Sequence, residues 1–319
     1  MNTPVLAAAI FKDLSTRLKL RKTALRMIAE GTLAIIHAKS CNTNLIANSL
    51  PVDTRRDDMR QQKVARILAA DSYGESLVWA PFARELLAAA AKGGQRIVLA
   101  LDQTDIGHRH AILMVSMRFE NRAVPLAWHV EEGSANIGAA KQVELVQTVN
   151  SWLPAGSFPI LMADRFYPSS ELFSTLANLG WGWRVRMKST AQLLCSIAHA
   201  HCVGDLDALA QGSYYGDSNA AIFNTQIPMS IGWLHEKGHA ESWCIAMDCP
   251  ASEAATRDYG LRWGIESLFS DFKSRGFNLQ KSQMEKPERL SKLLLLVALG
   301  MHWCLSQGQD LALAQKKAA

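Results

Sequence analysis

Two short apolar runs, each followed directly by an aspartate, constrain the fold of this chain more than any other feature. Residues 98–101 precede Asp102, and residues 160–163 precede Asp164. Apolar runs of this length are typical of strands buried on both faces of a parallel sheet. If the two strands are neighbours, both carboxylates lie together at the carboxyl edge of the sheet, where the sites of α/β proteins form. Each aspartate alone is better interpreted as an exposed strand terminus, so the prediction depends on the pair.

The segment around these runs predicts one mixed α/β domain. Patterning predicts strands at residues 96–104, 110–120, 123–132, 158–166 and 181–188, and helices at residues 136–153 and 169–179. Asn121 and Arg122 are expected to form the turn between the second and third strands. This order favours an antiparallel meander followed by right-handed crossovers within one sheet. It matches the ribonuclease-H-like, or retroviral-integrase-like, fold, although other α/β folds share parts of it.

The whole chain divides into five predicted parts. They are a helical N-terminal region at residues 1–92, the first part of the α/β domain at 93–189, a β-rich insertion at 190–250, the completion of the domain at 251–308, and a frayed tail at 309–319. Glycine, tyrosine and proline interrupt the insertion, which loses the alternation of strand and helix. A helix is expected from about Ser252 to about Arg275, and a last apolar helix over residues 287–306.

Charge is distributed unevenly, although the formal net charge is only +5. Residues 1–70 hold 12 Lys and Arg against 5 Asp and Glu, residues 71–272 hold 14 against 21, and residues 273–292 hold 6 against 2. A basic N-terminal region suggests a polyanionic partner, of which nucleic acid is the commonest. Its short helices are compatible with a helix-turn-helix module, although no recognition helix can be located. A solvated helical cap on the next domain is the alternative.

Composition excludes several classes of protein. With 49% hydrophobic and 20% charged residues, the chain is not a disordered, collagen-like or small disulfide-bonded protein. The longest apolar run, residues 293–305, is too short to span a membrane and predicts a buried helix. No signal peptide is predicted, because the N-terminal basic residues follow the first apolar stretch. The six cysteines are scattered without a CxxC pair, which favours a reducing cytoplasm.

One cluster of cysteines and histidines could hold zinc. It comprises Cys195, His199, His201 and Cys202, which lie within eight residues of sequence. Structural zinc sites usually combine ligand pairs that a longer loop separates. Ordinary thiols and surface histidines are therefore the favoured interpretation.

The paired aspartates favour a different metal. Two adjacent carboxylates repel each other, which raises the pKa of each, and a divalent cation removes this repulsion. Mg²⁺ suits the arrangement because it binds one or two carboxylates and completes its shell with water and phosphate oxygens. The sequence therefore predicts a site for Mg²⁺, with Asp102 and Asp164 among its ligands.

A third carboxylate lies in a polar pattern on the late helix. Tyr259, Arg262, Glu266 and Lys273 are spaced at offsets of 0, 3, 7 and 14. At about 100° per residue, they fall within about 60° of arc on one face roughly 21 Å long. Asp271 points elsewhere. The alternative is a solvated face with an Arg–Glu pair four residues apart.

This spacing resembles the Tyr-Arg-Glu-Lys signature of one large family of bacterial insertion-sequence transposases. Those enzymes carry two aspartates and one glutamate on a ribonuclease-H-like fold, with a β insertion before the glutamate. The resemblance covers about residues 96–275. Residues 102–104 fit the family's first motif, D-x-T, and residues 164–165 fit its second, an aspartate followed by arginine. Asp105 is the rival first carboxylate, but it lies outside the D-x-T frame.

The resemblance implies a catalytic triad of Asp102, Asp164 and Glu266 that binds two Mg²⁺ ions, for which Mn²⁺ would substitute. Asp102 would bridge the ions, with Asp164 on one and Glu266 on the other. The enzyme would nick DNA at the end of the element, and the exposed 3′-OH would attack the opposite strand or the target DNA. No covalent protein–DNA intermediate is needed, so Tyr259 is not expected to be a nucleophile.

The resemblance also implies contacts with DNA. Trp243 would stack on a flipped base, although Trp233 is a rival and both could be core aromatics. Lys281 and Lys286 would extend the basic face beyond the helix. The implied partners are terminal inverted repeats and target DNA, bound by a homodimer in a bacterial cytoplasm, at the nucleoid, without a membrane. The expected DNA-binding residues are Tyr259, Arg262, Lys273, Trp243 and Arg275.

Three alternatives remain open at this point. A nuclease on the same fold would share the acidic triad and cut DNA without joining strands. A transposase-derived DNA-binding protein would have lost catalysis, against which the intact Asp102, Asp164 and Glu266 argue. A glycosidase that uses two of the carboxylates is more distant, because nothing in the sequence suggests a sugar cleft.

Overall fold

The computed structural model describes residues 3–54, 56–194, 201–206, 214–222, 227–235 and 241–318. Helices precede a nine-stranded mixed sheet, and helices follow it. The strands are β1 Arg96–Ile106, β2 His110–Phe119, β3 Arg122–Glu132, β4 Phe158–Ala163, β5 Gly182–Arg186, β6 Leu193–Leu194, β7 Tyr214–Ile222, β8 Met229–Leu234 and β9 Trp243–Met247. The helices are α1 Thr3–Arg17, α2 Lys22–Ala38, α3 Thr43–Asn48, α4 Asp57–Ala69, α5 Glu75–Ala90, α6 Ala139–Asn150, α7 Ser170–Asn178, α8 Glu253–Arg257, α9 Gly264–Ser270 and α10 Pro287–Ala318.

The sheet has the strand order β3-β2-β1-β4-β5-β9-β8-β7-β6. β1, β2 and β3 form the expected antiparallel meander, and β4 and β5 lie parallel to β1 and to each other. The mixed α/β architecture predicted from the sequence, with N-terminal helices and a ribonuclease-H-like sheet, is therefore confirmed. The four strands of the predicted insertion extend the same sheet, because β9 pairs antiparallel with β5.

Three predicted boundaries, those of β1, of β4 and of the turn between β2 and β3, are wrong. β1 does not end at Asp102 or Thr104 but continues to Ile106. Its pairing with β4 ends at Leu101, and its last residues remain in the sheet because they still pair with β2. β4 ends at Ala163 and not at residue 166, because the chain turns there. The turn between β2 and β3 is formed by Glu120 and Asn121, and the positive φ of Glu120, 54°, gives the backbone its reversal.

The last helix, α10, packs in the centre of the molecule. Leu290 and residues 293–299 are buried, and the helix contacts α2, α4, α5 and β3. Lys292 donates a hydrogen bond to the carbonyl of Tyr73 at 2.9 Å, which ties α10 to the segment before α5. Residues 287–308 are long and apolar enough to cross a membrane by length and composition. In this structure, their apolar side chains instead form the core between the sheet and the N-terminal helices. The helix continues to Ala318.

The signature segment, residues 253–275, is continuously helical, as predicted, but its geometry changes along its length. Ser252 caps it by accepting a hydrogen bond from the backbone N–H of Ala255 at 3.1 Å. After α8, a 3₁₀ turn covers Asp258–Trp263, then α9 follows, and a π turn covers Asp271–Arg275. Within the segment, α9 packs on β3, α8 contacts β8, and the 3₁₀ turn contacts β1, β4 and β5.

Candidate active site

Sheet register places Asp102 and Asp164 side by side. The parallel pairing of β1 with β4 ends at Leu101 opposite Ala163, so the next residue on each chain is an aspartate. The paired apolar runs predicted this neighbourhood. Asp105, the rival carboxylate, lies three residues further along β1. Since side chains alternate along a strand, Asp105 projects from the opposite face to Asp102.

Three donors hold the carboxylate of Asp102. Its Oδ1 accepts hydrogen bonds from the hydroxyl of Tyr167 at 3.1 Å and from the backbone N–H of Gln103 at 2.9 Å. Its Oδ2 accepts from Nη1 of Arg262 at 2.8 Å. Burial raises the pKa of Asp102, and the charge of Asp164 adds to this effect, whereas Arg262 opposes it. The site therefore combines a partly desolvated carboxylate with a cation that stabilises its charge.

Asp164 lies in a tight turn after β4. Its Oδ1 accepts a hydrogen bond from the backbone N–H of Arg165 at 2.6 Å and one from the hydroxyl of Tyr259 at 3.3 Å. The backbone N–H of Tyr167 donates to the carbonyl of Asp164 at 3.1 Å and closes the turn. Tyr259 thus brings the signature segment onto the second aspartate.

Arg262 connects the first aspartate to the third predicted carboxylate. Its Nη2 donates to Oε1 of Glu266 at 2.7 Å while Nη1 holds Asp102. The residue is only 7% exposed, and its Nε is buried without a hydrogen-bond partner among the described residues. Burial alone would lower the pKa of Arg262, but Tyr259, Asp102, Asp164 and Glu266 raise it above its ordinary value. One buried cation therefore stands between two carboxylates.

The 3₁₀ turn explains why the side chains of Tyr259 and Arg262 contact each other. Residues three apart eclipse each other in a 3₁₀ helix, unlike the 100° spacing assumed from the sequence. The guanidinium of Arg262 accordingly lies over the ring of Tyr259, 5.6 Å from its centroid. Lys273 lies in the π turn and has no hydrogen bond or ion pair with any described residue. Arg275 is exposed at the end of the segment.

Trp243 is a core aromatic in this structure, which is the alternative that the sequence left open beside base stacking. It is 6% exposed and meets Tyr259 and Trp263 edge-on, with ring centroids 5.5 and 5.8 Å away. Its rival Trp233 is also buried. Trp263, which the sequence reasoning did not select, is 45% exposed beside Arg262. Only its position directly after Arg262 could have drawn attention to it.

Sequence reasoning also missed a cationic cavity next to Asp164. The cavity has a volume of about 540 Å³ and is lined by Arg165, Arg186 and Glu241, among others. Oε2 of Glu241 accepts from Nη1 of Arg165 at 2.9 Å and from Nη2 of Arg186 at 2.8 Å. Two guanidinium groups thus converge on one anionic oxygen, which is also the way that arginines bind phosphate.

The donor chemistry of the site fits a divalent cation. Asp102 and Asp164 supply oxygen ligands at one edge of the sheet, and the guanidinium of Arg262 already occupies the space between Asp102 and Glu266 as a stand-in cation. Hard cations such as Mg²⁺ take ligands of this kind. As placed, the described side chains contain no group of three that could hold a metal. In this arrangement, Glu266 is paired with Arg262.

In the cluster of cysteines and histidines at residues 195–202, Cys195 and His199 lie outside the described residues. The backbone N–H groups of His201 and Cys202 both donate to Oδ2 of Asp205, at 2.7 and 2.9 Å. These bonds order the backbone of a short turn.

Comparison with known proteins gives one family. A family model described as "Transposase DDE domain" matches residues 93–302. The matched region begins just before β1, ends within α10 and includes Asp102, Asp164 and Glu266. The comparison with curated proteins finds no match.

Proposed function

Since this chain belongs to the DDE transposase family, whose members cut DNA and transfer strands in transposition, we propose that Asp102, Asp164 and Glu266 are its catalytic carboxylates. We assign it further to the insertion-sequence branch that carries the Tyr-Arg-Glu-Lys signature. The observation that carries the assignment is the register of β1 and β4, which pairs the two aspartates, together with the bridge from Asp102 through Arg262 to Glu266.

DDE transposases use divalent metal ions, and we propose Mg²⁺ here, with Mn²⁺ as a substitute. Asp102, Asp164 and Glu266 would hold it. When bound, such an ion polarises the scissile phosphate and lowers the pKa of the attacking water or hydroxyl. Three carboxylates suit this task because they provide the negative charge that binds a divalent cation, even before DNA is bound.

The residues around the carboxylates then bind and orient DNA. Asp102 and Glu266 would hold the metal, and the guanidinium of Arg262, which now binds both carboxylates, would then donate to a phosphate, for which its planar fork is suited. Burial raises the pKa of Tyr259 well above its ordinary value, so its hydroxyl remains a hydrogen-bond donor at neutral pH. A buried neutral phenol is a poor nucleophile, and this supports a reaction without a covalent protein–DNA intermediate.

Further contacts would hold the DNA along the basic surface. We propose that Lys273 and Arg275 contact phosphates beside the cut, with Arg165 and Arg186 on the other side of Asp164. The basic N-terminal helices and residues 273–292 would flank the site. Terminal inverted repeats and target DNA are the proposed substrates, and synapsis of two ends requires a homodimer. We propose that this takes place in a bacterial cytoplasm.

A nicking assay tests the assignment. With Mg²⁺, the purified protein should nick DNA that carries the terminal repeats of its own element, and Asp164→Asn should abolish nicking while DNA binding is retained. Asp105→Asn is the matched control, because Asp105 lies on the same strand as Asp102 but on its other face. Equal nicking by wild type and Asp164→Asn would remove Asp164 from the mechanism.

A strand-transfer assay separates the transposase from a nuclease on the same fold. The transposase should join the 3′ end of a precleaved terminal repeat to a target plasmid. Cleavage without any joined product would instead assign the chain to the nucleases. Short inverted repeats on either side of the coding region would identify the DNA to use.

A further inference from the structure

We propose that Tyr167 is a positioning residue that fixes the Asp102 carboxylate for metal binding, an inference that rests on the proposed function. Its hydroxyl donates to Oδ1 of Asp102 at 3.1 Å, and the residue is only 6% exposed. Neither of the two aspartate motifs nor the signature on the late helix includes it. The contact joins residues 65 positions apart in the chain.

The turn after β4 delivers this hydroxyl. The backbone N–H of Arg165 holds the side chain of Asp164, and the backbone N–H of Tyr167 holds its carbonyl. Residues 164–167 therefore orient Asp164 and also place the phenol of Tyr167 within hydrogen-bond distance of Asp102. Pairing between β1 and β4 ends at Leu101, so no ladder hydrogen bond fixes the two carboxylates relative to each other. The hydrogen bond from Tyr167 to Asp102 instead connects the turn after β4 with β1.

The two oxygens of Asp102 have different partners. Tyr167 and the backbone N–H of Gln103 are neutral donors to Oδ1, whereas Oδ2 is held by Arg262, its one donor in the described part of the chain. A metal ion competes with another cation for a carboxylate, so we expect it to replace Arg262 and to leave Tyr167 in place.

Groups that hydrogen-bond to metal ligands typically contribute 10- to 100-fold to metal affinity or activity. A carboxylate already fixed by Tyr167 loses less rotational freedom when a metal binds, since the side chain is ordered beforehand. Removal of the hydroxyl should therefore weaken metal binding without altering the interface with DNA.

The experiment measures Mn²⁺ binding to the full-length protein without DNA, by electron paramagnetic resonance. Tyr167→Phe keeps the ring and removes the hydroxyl. Its affinity for Mn²⁺ should fall about tenfold, its DNA binding in EDTA should match wild type, and its nicking should recover partly at raised Mg²⁺. Tyr73→Phe is the matched control, because Tyr73 is also buried and donates to the carbonyl of Ile67 at 2.6 Å, away from the carboxylates. That variant should bind Mn²⁺ like wild type.

A double variant distinguishes positioning from a purely structural role. In an Asp102→Asn background, Tyr167→Phe should cause no further loss of Mn²⁺ affinity, because the charged carboxylate that it orients is gone. Equal Mn²⁺ affinity of wild type and Tyr167→Phe would overturn the proposal, and so would a loss that persists in the Asp102→Asn background or appears in Tyr73→Phe. If wild type and Asp164→Asn bind Mn²⁺ equally, the proposed metal site itself fails, which is a different result from a failure confined to Tyr167.

Discussion

Arg262 donates to Oδ2 of Asp102 at 2.8 Å across 160 residues of sequence, and both side chains are largely buried. Removing one partner of a buried ion pair usually costs more than the pair contributes, because the other charge is left unpaired. Since Glu266 shares the same guanidinium, the carboxylates of the site are kept together by an internal cation. A metal ion bound at the proposed site would therefore compete with Arg262 for the same oxygens.

This competition predicts a gain of metal affinity when the arginine is neutralised. Arg262→Gln should bind Mn²⁺ about tenfold more tightly than wild type in the absence of DNA, a change of about 1.4 kcal/mol. The reason is that the competing cation is gone and the repulsion between Asp102 and Asp164 is left for the metal to relieve. The same variant should nick DNA more slowly, because it lacks the phosphate contact. Isothermal titration calorimetry and a nicking assay measure the two effects.

Arg257→Gln is the control for this experiment. Arg257 lies on the same helical segment and forms an exposed pair with Glu253 at 2.9 Å. Its loss should change neither metal affinity nor nicking by a measurable amount. Weaker metal binding by Arg262→Gln would mean that the guanidinium organises the carboxylates for the metal and does not compete with it.

Tyr259 gives a second prediction, on the chemistry of cleavage. Tyr259→Phe removes one hydrogen bond of 3.3 Å to Asp164 but keeps the ring under Arg262 and against Trp243. One such bond is worth about 1 kcal/mol, so nicking should fall less than about tenfold. Denaturing gels should show no DNA attached to protein. A folded Tyr259→Phe variant without any cleavage would instead support a tyrosine nucleophile.

The catalytic edge of the sheet could be predicted from the sequence because its signals are local. An apolar run reports a buried strand, and the order of strands and helices makes the strands of Asp102 and Asp164 neighbours. The spacing of Tyr259, Arg262 and Glu266 placed them on one helix face, but only the resemblance to the transposase family assigned the third carboxylate to the site of the two aspartates.

The remaining features depend on contacts between distant residues. Tyr167 joins the site through a turn whose direction is set by packing after β4. Trp243 is buried because Tyr259 and Trp263 cover it, and no pattern around residue 243 encodes that. The 3₁₀ turn contacts β1, β4 and β5, whereas α9 packs on β3, and intrinsic propensity does not resolve such changes of helical geometry. The strands β6–β9 extend the sheet because β9 pairs with β5. The alternation of apolar and polar residues within a strand does not determine which strand it pairs with.

Gly264 gives a third prediction, on how closely the signature segment packs against β3. A Cβ at this position would lie 2.8 Å from the carbonyl oxygen of Arg122 on β3, a backbone atom that cannot move aside alone. Gly264→Ala should therefore destabilise the fold by about 1–3 kcal/mol. It should also reduce nicking, because Arg262 and Glu266 flank the displaced residue. Urea unfolding and the nicking assay measure the two changes.

Gly260 offers the matched control on the same segment. A Cβ there would meet only the ring of Trp243, at 4.0 Å, which is ordinary contact. Gly260→Ala should leave nicking unchanged and should stabilise the helix by up to about 1 kcal/mol, the usual difference between alanine and glycine. Equal stability of the two alanine variants would show that the close approach to β3 is not required.

His302 on α10 gives a fourth prediction, on the pH dependence of stability. Its ring lies edge-on to Phe82, 5.0 Å between centroids. Burial lowers the pKa of His302; the charges of Asp13 and Glu85 oppose this effect, and Arg17 adds to it. The folded state therefore favours the neutral ring, whereas the unfolded chain binds a proton near the ordinary value of about 6.5. As pH falls through that value, the unfolded state gains a proton first and the free energy of unfolding decreases.

The loss of stability should continue down to the lowered pKa of the folded state and then stop. The Tm of wild type should fall between pH 7.5 and pH 5.5, and His302→Gln, which cannot take up the proton, should show a smaller fall. Differential scanning calorimetry in buffers of low ionisation enthalpy measures both curves. His108→Gln is the control, because His108 lies exposed in the turn between β1 and β2. Parallel curves for wild type and His302→Gln would show that protonation of this ring does not drive the loss.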